Sequence, residues 1–199
     1  MKIGIEINGV LRDTINKLEQ VYKKYQIDKL DGFESTDSFI YEMNLPVTSL
    51  NLRNHFKFKD DEEFYSFLFE EFPMEIFGHA VSTETMSFND LNNFYFEFRN
   101  NNEILIVSDE MGKSKPASLF FLSKFGCLIE KVKFYSHSTI KSMWDEVDVL
   151  VTANPELIIN HPQDKTIIKF NTDYNTKIEC KHVINSIKEL NNIIKNFIC

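Results

Sequence analysis

Five short segments of the chain are apolar almost throughout, and each is followed by polar residues or a glycine. They cover residues 2–8, 103–107, 132–135, 147–151 and 166–170. The segments between them place apolar residues every three or four positions, which is the spacing of one face of a helix. Strands that are apolar on both faces and alternate with helices are typical of a parallel sheet covered on both sides. We therefore predict an α/β fold with a doubly wound, Rossmann-like parallel sheet of five strands.

Six segments have helical spacing. The second of them is followed by Pro73 and the fourth by Gly126, and both residue types are common where helices end. The last segment is predicted as one helix because Val183, Ile187 and Leu190 fall on a single face. The predicted helices cover residues 14–25, 62–72, 88–98, 114–125, 138–144 and 182–197.

The character of the sequence changes after the first predicted helix. The stretch up to residue 87 is rich in aromatic and acidic residues and has no convincing strand pattern. We predict that residues 14–87 form an inserted helical cap and that residues 1–13 and 88–199 form one core. The cap contains more aromatic residues than one helical face can bury, namely Phe64, Phe67, Phe69, Phe72 and Phe77. We expect most of them to build a small core and some to form an exposed surface for a partner.

Composition limits the classes of partner and the cellular compartment that we expect for this chain. The chain has 22 Lys and Arg against 30 Asp and Glu, for a net charge of −8, which disfavours nucleic acid and anionic membranes. No apolar run approaches the ~20 residues of a membrane span, and Glu6 interrupts the first one, which disfavours a signal peptide. We expect a cytoplasmic protein, or one in a particle assembled there. Three widely spaced cysteines favour reduced thiols over disulfides or zinc.

The ends of the predicted strands carry recognisable motifs. Residues 3–14 read Ile-Gly-Ile-Glu-Ile-Asn-Gly-Val-Leu-Arg-Asp-Thr. They resemble the first motif of the haloacid dehalogenase-like (HAD) superfamily, an apolar strand followed by Asp-x-Asp-Gly-(Val/Thr)-Leu. Ser108, Lys141 and residues 148–156 resemble the second, third and fourth motifs in the same order. In sheets of this kind ligands bind at the carboxyl ends of the strands, where these motifs fall.

The resemblance covers residues 1–13 and about 88–168. The insertion between the first two motifs is similar to the helical cap of deoxyribonucleotidase-like members. The resemblance implies a Rossmann-like core, an Asp nucleophile, a second Asp as general acid and base, and Mg²⁺ held in part by an Asp of the fourth motif.

This chain departs from the pattern at each of those functions. Glu6 stands at the nucleophile position, and its extra methylene moves the carboxylate by about the length of a carbon–carbon bond. A misplacement of ~1 Å can already cost roughly 10²-fold in rate. Asn8 stands at the acid/base position and cannot transfer a proton, a role worth ~10²–10⁴-fold. Thr152 and Ala153 stand where Mg²⁺ requires carboxylates.

We therefore expect no catalytic residue, no cofactor and no bound metal. The degenerate motif positions are Glu6, Asn8, Ser108, Lys141, Thr152 and Ala153. A buried Glu is costly unless it is paired, so we predict a structural ion pair between Glu6 and Lys141. The leading hypothesis is a catalytically inactive HAD-like domain that binds a protein partner or a second copy of itself, in a viral particle or another large assembly.

Two alternatives stay open. The first is a Mg²⁺-dependent phosphohydrolase acting on nucleoside monophosphates, with Glu6 as the nucleophile and Asp13 or Asp109 recruited for the metal or the proton. The second is a non-catalytic protein that binds a small phosphorylated ligand through Ser108, Lys141 and the backbone amides after residue 8.

Overall fold

The core of the molecule is a parallel sheet of six strands. The computed structural model describes residues 1–29 and 47–198. Every pair of neighbouring strands is parallel, and the order across the sheet is third, second, first, fourth, fifth and sixth. The strands are β1 (Lys2–Glu6), β2 (Glu103–Asp109), β3 (Val132–Tyr135), β4 (Val149–Thr152), β5 (Thr166–Phe170) and β6 (His182–Ile184).

The strand order reverses beside β1. The chain proceeds from β1 to β2 and β3 on one side, and to β4, β5 and β6 on the other. Ile3 is aligned with both Ile104 and Val149, so β1 is hydrogen-bonded along both edges. Helices cover both faces, which explains why the residues of β1 from Ile3 to Glu6 are all buried rather than every second one. The α/β, Rossmann-like prediction is confirmed, and the strand order reverses at β1, the position where sheets of this kind generally bind ligands.

The sixth strand corrects the prediction of five strands and of a single helix over residues 182–197. β6 is only three residues long and pairs with β5. It is followed by a 3₁₀ turn, Ile187–Glu189, and then by the last helix, Leu190–Ile198. Ile184 is buried while Val183 is exposed, and that alternation is too short to separate from helical spacing. Pairing with β5 therefore decided the local structure.

The helices surround the sheet and build the cap. A 3₁₀ turn, His137–Thr139, precedes the helix Ile140–Trp144. π-Helical turns at Phe67–Glu71 and Met74–Gly78 follow the helix Asp61–Ser66, so the predicted helix over 62–72 is divided. None of the described helices is long and apolar enough to cross a bilayer. The helices are α1 (Thr14–Lys29), α2 (Leu52–His55), α3 (Asp61–Ser66), α4 (Ser87–Phe98), α5 (Ser114–Lys124), α6 (Ile140–Trp144), α7 (Pro155–Ile159) and α8 (Leu190–Ile198).

The cap has a hydrophobic cluster of its own. Leu18 and Tyr22 of α1 pack there with Phe56 and Phe67, and Ala117 of α5 joins them from the core. The expectation of an exposed aromatic surface was wrong for the phenylalanines on which it rested. They are buried or half-buried, because the π-helical turns wind their rings around α1 rather than along one helical face. These residues are Phe64, Phe67, Phe69, Phe72 and Phe77.

Two stretches of chain connect the core to the cap, and they run side by side. The amide of Asp13 donates to the carbonyl of Val81 at 3.0 Å, and the amide of Thr83 donates to the carbonyl of Leu11 at 3.1 Å. This pairing holds the entry and the exit of the cap next to the end of β1. The boundaries predicted at residues 14 and 87 stay a prediction.

Candidate functional site

The carboxyl ends of β1, β2 and β4 gather five of the six motif positions. Glu6 is the last residue of β1, and Asn8 lies in the turn that follows it. Ser108 is the penultimate residue of β2, and Thr152, which precedes Ala153, ends β4. The two neighbours of β1 in the sheet are β2 and β4, so these positions converge on one edge, as the motif order predicted.

Glu6 is buried, with 1% of its surface exposed, and neutral hydroxyl groups hold both of its carboxylate oxygens. The Tyr135 hydroxyl donates to Oε1 at 2.7 Å, and the Thr152 hydroxyl donates to Oε2. The predicted ion pair with Lys141 was wrong: within the described part of the chain the two residues form no salt bridge, and Lys141 is exposed on α6. Spacing along the chain does not fix which way a helix presents a side chain.

The environment of Glu6 raises its pKa from an ordinary value of 4.5 to about 7. Burial is the largest cause, because it penalises the charged form, and the nearby charges of Asp109 and Glu110 act in the same direction. The hydrogen bonds from Thr152 and Tyr135 oppose the rise without cancelling it. Near neutral pH the protonated and ionised forms of Glu6 therefore coexist.

Asn8 organises the turn after β1. Its side-chain oxygen accepts from Arg12 Nη2 at 2.6 Å and from the Thr14 hydroxyl at 2.7 Å. Its side-chain nitrogen donates to the Ser108 hydroxyl at 3.3 Å. A carboxylate could accept the first two hydrogen bonds but could not donate the third, so an amide suits this position.

Arg12 is the centre of the site, although the sequence analysis did not select it. It is fully buried, and burial lowers the pKa of its guanidinium while the partner carboxylate of Glu110 opposes that shift. Nη2 lies 2.5 Å from Glu110 Oε1, and Nη1 donates to the Ser118 hydroxyl at 2.6 Å and to the Phe77 carbonyl at 3.0 Å. One guanidinium thus ties together the turn after β1, the end of β2, helix α5 and the cap.

Glu110 completes this network from just beyond the end of β2. Its Oε1 accepts from Arg12 and from the hydroxyls of Ser108 at 3.2 Å and Ser118 at 2.8 Å. Glu110 is 1% exposed, so its charge requires a buried cation. A signal was available in the sequence: opposite charges follow two apolar strands that the motifs place side by side, and Arg12 is one of only three arginines.

Tyr174 covers the turn from the other side, and the sequence gave no indication of it. Gly9 has φ +75°, a conformation that favours glycine, and a Cβ there would lie 2.0 Å from the Tyr174 hydroxyl and 2.9 Å from the Ala153 side chain. Burial raises the pKa of Tyr174, and the neighbouring Glu6 charge adds to the rise. The hydroxyl therefore stays neutral directly above the turn.

The residues present do not fit the Mg²⁺ that the HAD resemblance implies. Mg²⁺ prefers carboxylate, carbonyl and water oxygens in an octahedron. Both Glu6 oxygens already accept from hydroxyls, the Thr152 oxygen accepts from the Asn154 amide while donating to Glu6, and Ala153 offers no side-chain oxygen. Among the described residues, no three His, Cys, Asp or Glu side chains are grouped to hold a metal.

The hypothesis of a non-catalytic protein that binds a phosphorylated ligand requires side-chain donors from Ser108 and Lys141, and neither is positioned for that role. The Ser108 hydroxyl is fully buried and donates to Glu110, and Lys141 is exposed on α6 outside the cleft lining. That cleft has a volume of about 700 Å³ and lies between the core and the cap. Glu6, Asn8 and Asp109 line it on the core side.

Replacing Arg12 by Met should destabilise the protein by ~3–5 kcal/mol, because it leaves the buried Glu110 charge without a cation. Adding Glu110→Gln to Arg12→Met should recover part of that loss, which denaturant unfolding of both single variants and the double variant will measure. Additive losses in this cycle would show that the two residues are not coupled.

Glu6→Gln should change how stability depends on pH. A raised pKa means that the folded form binds the proton more tightly, so this contribution of wild-type Glu6 is complete below pH 4.5 and is lost as the pH rises through about 7. The unfolding free energy of wild type relative to Glu6→Gln should therefore fall by up to roughly 3 kcal/mol across that window. If the difference between the two unfolding free energies varies from pH 4 to pH 8 by no more than the experimental error, that result would contradict the raised pKa of Glu6.

The comparisons with known proteins concern structure alone, because neither a protein-family model nor a curated protein sequence matches the chain. A structure described as a haloacid dehalogenase-like hydrolase, from Burkholderia xenovorans, matches at 11% identity and TM-score 0.61, covering 100% of this chain and 98% of the other. The HAD-hydrolase YfnB from Bacillus subtilis, bound to magnesium, matches at 10% identity and TM-score 0.63, with 98% of each chain covered. A protein described as a phosphatase, from Clostridium difficile, matches at 11% identity and TM-score 0.63, with 97% of each chain covered.

Identities near 10% establish a shared fold and not a shared chemistry. The matches extend over nearly the whole of both chains, so they include the cap as well as the sheet. The deoxyribonucleotidase-like subgroup stays a prediction. The chain therefore shares the fold of these haloacid dehalogenase-like structures, as its four motifs predicted.

Proposed function

We propose that this chain uses the HAD-like fold to bind a ligand or partner at the cleft between core and cap, without Mg²⁺-dependent phosphoryl transfer. The observation that carries the proposal is the state of Glu6. The hydroxyls of Tyr135 and Thr152 take both oxygens of the carboxylate at the nucleophile position.

Attack on phosphorus requires an ionised oxygen with a lone pair directed at the substrate. Glu6 is buried, and burial raises its pKa to about 7, so a large share of the protein carries it protonated at neutral pH. Its extra methylene carries the carboxylate across the strand ends, where it reaches hydroxyls from β3 and β4. These features favour a structural role for Glu6.

Proton transfer lacks a group as well. Asn8 is bound to Arg12, Thr14 and Ser108, and an amide has no proton to exchange in this pH range. Ser108, whose equivalent would contact a phosphate, donates instead to Glu110. The positions that resemble catalytic motifs are engaged in holding the turn after β1.

A phosphohydrolase acting on nucleoside monophosphates is the second candidate, and the structural comparisons favour it over a binding function. The matched structures are described as hydrolases or a phosphatase, and one of them contains magnesium. This function requires Glu6 to leave its hydroxyl partners and attack. The sequence analysis named Asp109 and Asp13 as residues that could serve the metal or the proton transfer. Asp109 lines the same cleft as Glu6. Asp13 lines a neighbouring cleft and accepts a hydrogen bond from the side chain of Asn16.

The identity of the partner is part of the proposal. A protein or a second copy of the chain, within a viral or other large assembly, agrees with the net charge of −8, which disfavours nucleic acid and anionic membranes. We also propose a cytoplasmic location, and the support for it comes from the sequence alone.

The two candidates are separated by assaying the full chain with Mg²⁺ against nucleoside monophosphates and an aryl phosphate. We expect no turnover above that of Glu6→Gln, and no heat of Mg²⁺ binding at millimolar concentration. Turnover that Glu6→Gln abolishes and Glu103→Gln preserves would establish the hydrolase instead. Glu103 is a matched control because it is the first residue of β2, at the end of that strand far from the cleft.

A further inference from the structure

The outward face of helix α5 is apolar. The helix buries Ala117 and Phe121 against the molecule, yet Leu119 and Phe120 on its outer side are 47% and 42% exposed. A surface helix normally presents polar residues to solvent, whereas a helix that is apolar on all sides is normally covered on all sides. Within the described part of the chain, the outer side of α5 has no such cover.

The second π-helical turn, Met74–Gly78, extends this apolar face from the cap. A Cβ at Gly78 would collide with the Met74 sulfur and would lie 3.3 Å from the Phe120 ring, so the two side chains meet above the glycine. Met74 is 39% exposed, and Leu119 adjoins Phe120 on α5. We call this surface the α5 patch, and its residues are Met74, Pro116, Leu119 and Phe120.

The composition of the α5 patch is typical of the centre of a protein–protein interface. Phenylalanine and methionine are enriched there, and contiguous exposed apolar surface marks interaction sites. None of the four patch residues lines the cleft between core and cap or its smaller neighbour. The patch is therefore a second surface, and an inference drawn from it goes beyond the proposed function.

The two flanks of the α5 patch carry opposite charges. Lys115 lies about 140° from Phe120 around the helix axis, on the side away from Ala117, which packs in the cap cluster. Glu75 follows Met74 on the other flank, and both charged residues are exposed. Among the described residues neither Lys115 nor Glu75 forms a salt bridge, although the neighbouring Lys113 and Glu70 pair at 3.0 Å.

We propose that the α5 patch is a two-fold interface between two copies of this chain. A symmetric dimer brings the same surface of both copies together. With the two-fold axis in the interface and along the patch, the apolar residues meet at the centre, and Lys115 of each copy faces Glu75 of the other. This self-complementarity favours a second copy over an unrelated protein, which would have to supply both charges in matching places.

The first test is the mass of the full chain in solution, measured by sedimentation velocity from about 1 μM to about 0.1 mM. We expect a species of twice the chain mass of 23.4 kDa whose share grows with concentration. A chain that stays monomeric throughout this range would overturn the inference and leave the α5 patch to a different protein.

A substitution at the centre of the patch locates the interface. Phe120→Glu should weaken the dimer by at least roughly thirtyfold, because each copy brings a charge into the apolar centre. Phe96→Glu is the matched control, since Phe96 is 48% exposed on a different helix, α4, and it should leave the dimer unchanged. If the two variants have the same dimer dissociation constant, the α5 patch is not the interface and the inference fails.

Charge reversal tests the two-fold arrangement with substitutions at exposed positions that leave the apolar patch intact. Lys115→Glu and Glu75→Lys should each weaken the dimer by roughly tenfold, because each places like charges opposite one another twice. The double variant exchanges the signs of both pairs, so its dissociation constant should return to within about threefold of wild type. Losses that simply add in the double variant would show that the flanks do not face each other, and the proposed interface would be wrong.

The outcomes for the interface and for the cleft are independent. A monomeric chain without Mg²⁺-dependent turnover would refute the dimer and leave the proposed binding function standing. A dimer that responds to these variants as expected and also hydrolyses nucleoside monophosphates would support the interface and refute the proposed function.

Discussion

A single buried ion pair, Arg12 with Glu110, constrains the whole region where a HAD-like protein would carry its chemistry. Both side chains are almost completely buried, so each charge depends on the other and on every hydrogen bond that surrounds the pair. Asn8, Ser108 and Ser118 provide those bonds. The amide and hydroxyl at the motif positions are therefore explained by what the buried pair requires. The same guanidinium reaches the Phe77 carbonyl, so it also fastens the cap to the core.

The sheet was predictable because β1, β2, β4 and β5 are buried along most of their length and stand out as apolar runs. The convergence of Glu6, Asn8 and Ser108 followed from their places at strand ends. Three-residue β6 was not predictable, since pairing with β5 and not local pattern defines it. Helix rotation exposes Lys141, and tertiary packing brings Tyr174 to Gly9; neither is encoded in sequence spacing.

The structural comparisons favour a hydrolase, whereas the residues of the site favour a binding function. This difference has a physical reason. A fold persists at about 10% identity because many buried positions accept any apolar residue of suitable size. Phosphoryl transfer depends on a few atoms at defined distances and fails with single substitutions. Glu6 illustrates the difference: it keeps a carboxyl group at the strand end, but the hydroxyls of Tyr135 and Thr152 donate hydrogen bonds to both of its oxygens.

The state of Glu6 is best measured by carboxyl ¹³C NMR of the glutamate-labelled chain, titrated with pH in the absence and presence of millimolar Mg²⁺, with Glu6→Gln to assign the resonance. We expect a pKa near 7 that Mg²⁺ leaves unchanged, because neutral hydroxyl groups donate to both oxygens of Glu6. A pKa that Mg²⁺ lowers strongly would mean that the carboxylate binds the metal, and the account would be wrong.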